Sequence, residues 1–393
     1  MRMNVPSSKT YRYIFAGGGM SALSLVYFLS QSKRAKEPML IIDLSSKSEN
    51  DKTWCYWSDK PEKFDDLAQK SWEHLWFHGP QAKSIALDIA PFQYHKIRSI
   101  DWYTYIKKQL SQFPNIEFLQ AEVLQIIPEE KSTKVQSSLG DFYATDKVFD
   151  SYTAYPCEIN NPKHIKQHFL GWEIESNFPI FKSDAVHLFD FRVAQGKECE
   201  FMYILPTSSK KALFEYTFFS AQVREASFYR DKIKSYLQAF YGLGEEDYQI
   251  KEEEKGIIPM CLDQRASQRI SDKIIRIGTS GGFVKASTGY SFLRTQRINQ
   301  ALVKELEKDY PQGLVLPQST FKTWLDKVFL QVLLEQSIAG SEVFEALFQK
   351  NKGSLMLRFL DEKTSIWEDL CLMASVPTLP FMRAVYHLII SSK

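Results

Sequence analysis

The segment IFAGGGMSALSLVYFL, Ile14 to Leu29, constrains the fold more than any other part of the chain. Tyr11 to Ala16 reads as a short buried strand. Gly17 and Gly19 permit a tight turn and a close approach of backbone to phosphate. Ala22 stands at the third glycine position, where helix must pack closely on strand. Met20 to Leu29 follows as an apolar helix with its N-terminus toward the anion. Met39 to Ile42 reads as a second strand, and Asp43 at its end can accept hydrogen bonds from a ribose diol. The Gly17-to-Asp43 spacing exceeds the usual ~20 residues, and Ser30 to Pro38 supply the extra loop. Strand, glycines, helix, strand and acid in this order predict a Rossmann-like dinucleotide-binding start. The plainer alternative is a glycine-rich turn in another kind of α/β protein.

Far downstream lies a second glycine-rich segment, RIGTSGGFVKASTGYSFLRTQR, Arg276 to Arg297, carrying Gly278, Gly281, Gly282 and Lys285. Together the two segments predict a flavin enclosed by both ends of one nucleotide-binding domain. Between them the pattern is mainly of strands, with a hairpin over 72–100 and another around the turn TSSK. Helices are predicted from Asp101, as N-cap, to Phe113 and from Ala226 to Tyr241. Single strands are predicted over Asn115 to Ile127 and Val135 to Asp150. The predicted fold class is α/β. A discontinuous FAD-binding domain takes 8–75, 114–160 and 265–312. A β-rich substrate-binding domain, 76–113 and 161–264, is inserted in it, and 313–393 form a helical C-terminal region.

Net charge is +2 with no basic block, so a nucleic-acid partner is not expected. Cysteines stand at 55, 157, 199, 261 and 371, none in a C-x-x-C pair. That spacing argues against a zinc site or disulfide framework, so no metal is expected and a reduced, cytoplasmic setting is. No secretory signal pattern is read at the N-terminus, and no apolar run approaches ~18 residues. Aromatic residues make up 14% of the chain, which predicts a large apolar cavity, a lipid-facing surface or simply a Phe-rich core.

The most unusual strand is KALFEYTFFS. Side chains alternate along it, so Leu213, Glu215 and Thr217 share one face while Phe214, Tyr216 and Phe218 share the other. A carboxyl desolvated among such neighbours has its pKa raised and can act as a general acid. From the strand alone, a solvent-exposed sheet face is the commoner setting for a Glu. Trp54, Trp57 and Trp172 could line an apolar pocket and hold a cation by their ring faces, or serve as core aromatics. His168 has no partner at ligand spacing and reads as structural. Glu173 and Glu175 read as structural too.

Six ordered blocks resemble the bacterial-type, flavin-dependent lycopene β-cyclases, from about Tyr11 to Arg297. The dinucleotide signature matches at Gly17, Gly19, Ala22 and Asp43. NDKTWCYW matches N-D-[RK]-T-W-C-[FY]-W, and QHFLGWEIE matches Q-H-F-x-G-W-x-[IV]-E. ALFEYTFFS falls on the acidic F-L-E-E-T-like block, with Glu215 on its first acid. EEKGIIPM matches E-x-G-[VI]-I-P-M, and GGFVKASTGYSFLR matches G-G-x-V-K-P-S-T-G-Y-x-[FL]-x-R. Three positions depart. Tyr216 replaces the second acid, which leaves the proton-handling group opposite Glu215 unassigned. Tyr152 stands where the family often has Arg, and Ala286 replaces a Pro.

The resemblance implies a redox-neutral isomerisation in carotenoid biosynthesis. Lycopene, or a related acyclic carotene, is protonated at a terminal ψ end group and closes to a β-ionone ring, by way of γ-carotene to β-carotene. It implies reduced FAD with NAD(P)H as electron source, Glu215 as catalytic acid, and Gly278, Gly281, Gly282 and Lys285 beside the cofactor. A substrate dissolved in membrane suggests a peripheral contact with the membrane surface. The C-terminal stripe of Trp324, Val328, Phe329 and Val332, flanked by Lys322 and Lys327, fits that contact or a helix packed on the core. The alternatives on the same scaffold are a flavin-dependent monooxygenase, a prenyl reductase acting on a hydrophobic isoprenoid, and a non-catalytic carotenoid-binding flavoprotein.

Overall fold

A computed structural model describes residues 9–81, 83–153, 164–260, 271–308 and 319–391. The predicted borders at 160/161, 264/265 and 312/313 lie outside these residues, as do Cys157 and Cys261.

The strand Lys9–Ala16 is flanked by Met39–Asp43 on one side and Gly140–Asp150 on the other, both parallel to it. Ile116–Gln120 extends the sheet beyond Met39–Asp43, and Ile274–Arg276 pairs in parallel with Gly140–Asp150. The antiparallel strands Thr133–Ser137 and Val123–Pro128 complete it. Register sets Ala16 beside Ile42 and Asp150, and Asp150 beside Arg276. Four strands thus end together, which is where open parallel sheets bind ligands. The helix Met20–Leu29 leaves from that edge. It has no charged residue and is buried over most of its surface, as a helix apolar all round must be. Phe292–Leu306 and Ser99–Leu110 pack in the same core.

A second sheet has the order Tyr248–Met260, Ile165–Ser176, Lys211–Ser220, Cys199–Pro206, Ala185–Asp190, His74–His78 and Ser84–Asp88. The helix Ala226–Tyr241 covers one of its faces through Tyr229, Ile233, Tyr236 and Leu237. It ends where Gly242 turns left-handed at φ +66°. A small third sheet joins Thr53–Ser58, Gln93–Arg98 and Lys70–Trp72.

Several predicted elements differ. The 101–113 helix begins at Ser99, which is tied to Lys52 through both backbone and side chain, and Asp101 falls in the first turn. There its charge still opposes the helix dipole. That helix packs on the nucleotide side, so 76–113 is divided between the two parts. The strand predicted over 135–150 is a hairpin, turned at Gly140 with φ +127°. The 115–127 strand is broken between Gln120 and Val123. In the predicted 72–100 hairpin, Gln93–Arg98 leaves for the third sheet.

Among the described residues the C-terminal region has five helices, beginning with Thr320–Glu335. Its apolar stripe lies in the core: Val328 and Val332 are buried, with Trp324 and Phe329 packed beside them. Lys322 is buried too, its Nζ 2.6 Å from Asp369 Oδ1 and 2.9 Å from the Thr364 carbonyl. The stripe is not a surface. The exposed apolar face belongs to the last two helices, Ile366–Ser375 and Thr378–Ser391. Ile366, Trp367, Leu370 and Met373 line the first, and Leu379, Met382, Tyr386 and Ile389 the second. Among the described residues no helix is long and apolar enough to cross a membrane.

Candidate active site

A cavity of about 660 Å³ runs from the shared edge of the first sheet to the face of the second that lies opposite the helix Ala226–Tyr241. Its polar end is walled by Gly17, Gly19, Ser21, Asp43, Gly278 and Thr279. Gly17 has φ +100°, and a Cβ there would meet Ser151 Oγ at 2.3 Å. Only glycine fits that position. A Cβ on Gly19 would meet nothing within 4 Å, because it points into the cavity. Gly19 is also the N-cap of Met20–Leu29 and offers no side-chain cap. The helix therefore presents free N–H groups to the cavity, as an anion site requires. Asp43 Oδ2 accepts a bond from Gly18 N at 2.6 Å, while Lys47 approaches Oδ1 at 3.4 Å. Ala22 is fully buried against the sheet.

Three buried polar atoms in the cavity wall have no partner: Ser21 Oγ, Gln167 Oε1 and Thr288 Oγ1. Each such group costs roughly 1–3 kcal/mol if left unmade. Uncapped helix, open Gly19, ribose-type carboxylate and orphaned hydroxyls together fit a bound dinucleotide. Gly17 to Ser21 with Gly278 would hold its phosphates and Asp43 its ribose.

The other end is apolar, walled by Phe169, Leu188, Phe189, Phe201, Leu213 and Phe219. Glu215 enters it from Lys211–Ser220 and is only 9% exposed. Burial raises its pKa to about 8, and the nearby charge of Glu254 raises it too. Thr217 Oγ1 donates to Glu215 Oε1 at 2.8 Å and pulls weakly the other way. Near neutral pH Glu215 is therefore a neutral acid. Across the sheet it lies beside Tyr203 on one strand and Gly171 on the other. Tyr203 starts a buried hydroxyl chain, 2.7 Å to Tyr94 and a further 2.7 Å to Tyr290.

The two faces of this strand separate as the alternation predicts. Phe214, Tyr216 and Phe218 pack under the helix Ala226–Tyr241. Tyr216 donates to Glu200 Oε2 at 2.8 Å, away from the cavity. The departure from the family's second acid thus removes no carboxyl from the chamber.

Other predicted site residues fall elsewhere. Lys285 is buried 2.9 Å from Asp326 and 3.2 Å from Glu362, and does not line the cavity. It ties the second glycine segment to the C-terminal helices. Gly281 and Gly282 shape the turn rather than the cavity wall. A Cβ on Gly281 would lie 2.4 Å from the Arg276 carbonyl, and Gly282 has φ +71°. Of the three tryptophans only Trp54 reaches the cavity, stacked on Phe292 with ring centroids 5.7 Å apart. Trp57 donates to the Leu357 carbonyl and Trp172 to Glu253. His168 sits between Tyr229 and Ser220, and burial lowers its pKa to about 4. Glu173 pairs with Lys96 at 2.8 Å and Glu175 with Lys251 at 3.1 Å.

Sequence reasoning missed Glu254, Tyr203, Tyr290 and Phe169, all in the cavity wall. The available signals were the acid of the E-x-G-[VI]-I-P-M match, which is Glu254, and two mid-strand glycines, Gly171 and Gly256, which mark close approach across a sheet. At Gly256 a Cβ would lie 2.4 Å from the Phe169 ring.

This fold and cavity define a Rossmann-type α/β protein of the kind found among flavin-dependent enzymes. The chain belongs to the lycopene cyclase family, described as lycopene cyclase protein, which matches residues 13–386. Comparison with curated protein sequences gives no match. Among solved structures, a geranylgeranyl bacteriochlorophyll reductase-like protein from Thermoplasma acidophilum is similar at TM-score 0.66 and 10% identity, covering 96% of this chain and 99% of its own. The p-nitrophenol 4-monooxygenase of Pseudomonas putida gives TM-score 0.59 at 13% identity, with 94% and 96% covered. Halogenase PltM in complex with phloroglucinol and FAD gives 0.56 at 12%, with 90% and 82% covered. At such identities the likeness is one of fold.

Proposed function

We propose that the protein is a flavin-dependent lycopene β-cyclase, an isomerase that closes acyclic ψ end groups of lycopene to β-ionone rings. The observation that carries this reading is Glu215, a buried neutral acid facing an apolar chamber that opens off a dinucleotide-shaped channel. Alkene protonation needs such an acid away from water. Glu215 gives its proton to the terminal double bond. The neighbouring double bond attacks the tertiary cation, the ring closes, and loss of a ring proton leaves the alkene. Ring faces of Phe169, Phe201 and Tyr203 stabilise the cation as it forms. Gly17 to Ser21, Gly278 and Asp43 would hold FAD, which, reduced by NAD(P)H, would supply negative charge to stabilise the cation. The exposed apolar face of the last two helices is assigned to the membrane surface from which the hydrocarbon enters.

The test is redox stoichiometry. Under anaerobic conditions, enzyme whose flavin has been reduced once is given lycopene in detergent micelles. The expected product has the mass of lycopene and exceeds the flavin many times over without further NAD(P)H. Product that scales one-to-one with NAD(P)H oxidised would replace this reading with a monooxygenase or prenyl reductase.

A further inference from the structure

The chamber holds a second carboxyl. Glu254 lies on Tyr248–Met260, the edge strand of the second sheet, and faces the same cavity as Glu215. The two are not neighbours along the chain or on adjacent strands. Gly171, on the strand between them, pairs with Glu215 on one side and Glu254 on the other. Residues directly opposite in an antiparallel sheet project from the same face. A side chain at 171 would stand between the acids: its Cβ would lie 3.3 Å from Glu215 Cβ and 3.2 Å from Leu213 Cδ1. Glycine there leaves no side chain between the two acids, both of which line the cavity.

Their surroundings differ. Glu254 Oε1 accepts the Thr53 backbone N–H at 3.1 Å. Burial raises the Glu254 pKa, while Thr53 and Lys96 favour its anion and Lys52 acts on both acids. Glu215 has Thr217 as its hydrogen-bond partner and receives the repulsion of Glu254. Two carboxyls sharing one site do not both ionise readily, and the better-solvated partner keeps the charge.

We infer that Glu254 is the base of the reaction: it takes the ring proton that protonation by Glu215 and ring closure make acidic, and the pair then resets by passing that proton across the Gly171 gap. The steps balance. Glu215 loses a proton to carbon, one carbon–carbon bond forms, and a ring carbon–hydrogen bond breaks toward Glu254. Transfer from Glu254 to Glu215 restores both groups with no change in oxidation state. The inference rests on the cyclase reading and adds what fixes the position of the new double bond.

The experiment compares wild type, Glu254→Gln and Glu254→Asp, each with reduced FAD and lycopene in micelles. Products are resolved by chromatography and the ring double bond placed by NMR. Glu254→Gln should retain FAD by absorbance and lose β-ring formation by about 100-fold or more. Its residual rings should carry the double bond at other positions, because the cation then loses a proton elsewhere. Glu254→Asp should recover β-rings. Unchanged rate and ring isomer in Glu254→Gln would overturn this inference alone and leave Glu215 standing. A wild-type protein that forms no rings would overturn the cyclase reading, and this inference with it. If Glu254→Gln does not hold FAD, Gly171→Ala replaces it, since both acids stay and a methyl enters the gap. A loss of roughly tenfold or more with FAD retained is expected, and wild-type turnover would refute the pairing.

Discussion

The two ends of the cavity are built in opposite ways. At the nucleotide end polar groups are left open: an uncapped helix, a glycine facing free space, and Ser21 Oγ without a partner. They stand close together in sequence, within one strand–turn–helix. At the acid end the working groups are few and set among Phe and Leu. Tyr203, Glu215, Gly171 and Glu254 reach one row from four different strands. The first end suits a charged ligand and can be assembled by local backbone geometry. The second must exclude water and hold a proton, which takes long-range register. The difference implies that the two can be damaged separately.

The sharpest way to break the comparison is at the two ends in turn. Glu215→Gln should keep fold and FAD yet lower ring formation by about 10³-fold or more, since an amide is no acid. Gly19→Val should do the reverse: the fold persists, because the added side chain meets only cavity, and FAD content falls. Gly17→Val should cost the fold itself, through both φ +100° and the Ser151 contact. Flavin absorbance, circular dichroism and product analysis on the three purified variants separate the outcomes. Full FAD in Gly19→Val would remove the phosphate from the place assigned to it.

The same division governs what could be read from sequence. Met20–Leu29 is found where predicted, because strand, glycine turn and apolar run are local signals. The alternation of Lys211–Ser220 correctly put Glu215 and Tyr216 on opposite faces. Its partner was illegible. Glu254 sits in the run KEEEK, where Glu252 bonds Arg98, Glu253 bonds Arg230 and only Glu254 enters the cavity. Composition does not separate the three; the match to E-x-G-[VI]-I-P-M singles out Glu254 without giving it a role, and strand register places it in the cavity. Lys285 stands beside the cofactor only by resemblance; its partners Asp326 and Glu362 come from the C-terminal region, which the segment itself does not announce.

Protonation sharpens the contrast further. Glu215 has its folded pKa raised from 4.5 to about 8. Cyclisation should therefore fall above pH about 8 as the acid is lost. Stability follows the same sign: a raised folded pKa means stability declines as pH climbs from the unfolded value through about 8. Glu215→Gln should accordingly melt a few degrees higher than wild type at pH 9, with part of that gap already open at pH 6 and none of it left near pH 4.5. The buried histidines act oppositely. His78, His168 and His187 are held near pKa 4 by burial. Their contribution is present above the ordinary histidine pKa and lost as pH falls toward 4, so a second decline belongs on the acid side. Melting curves from pH 4 to 9 should show both flanks. A Glu215→Gln protein no more stable than wild type at pH 9 would mean that the carboxyl is solvated.

The smallest effect lies outside the cavity, where an apolar surface is exposed instead of enclosed. Trp367 is 79% exposed and Leu379 80%, on the two last helices. Neither contributes to the buried core, so Trp367→Glu and Leu379→Glu should leave melting within about 0.5 kcal/mol of wild type. Both should weaken flotation with liposomes, and their combination should weaken it more. Phe329→Glu, whose ring packs edge-on against Phe344, should instead destabilise the fold. Turnover on lycopene delivered from liposomes should fall in the surface variants, while turnover on substrate in micelles stays. Unchanged flotation with the fold intact would leave this apolar face without a membrane role and would not touch the chemistry assigned to Glu215.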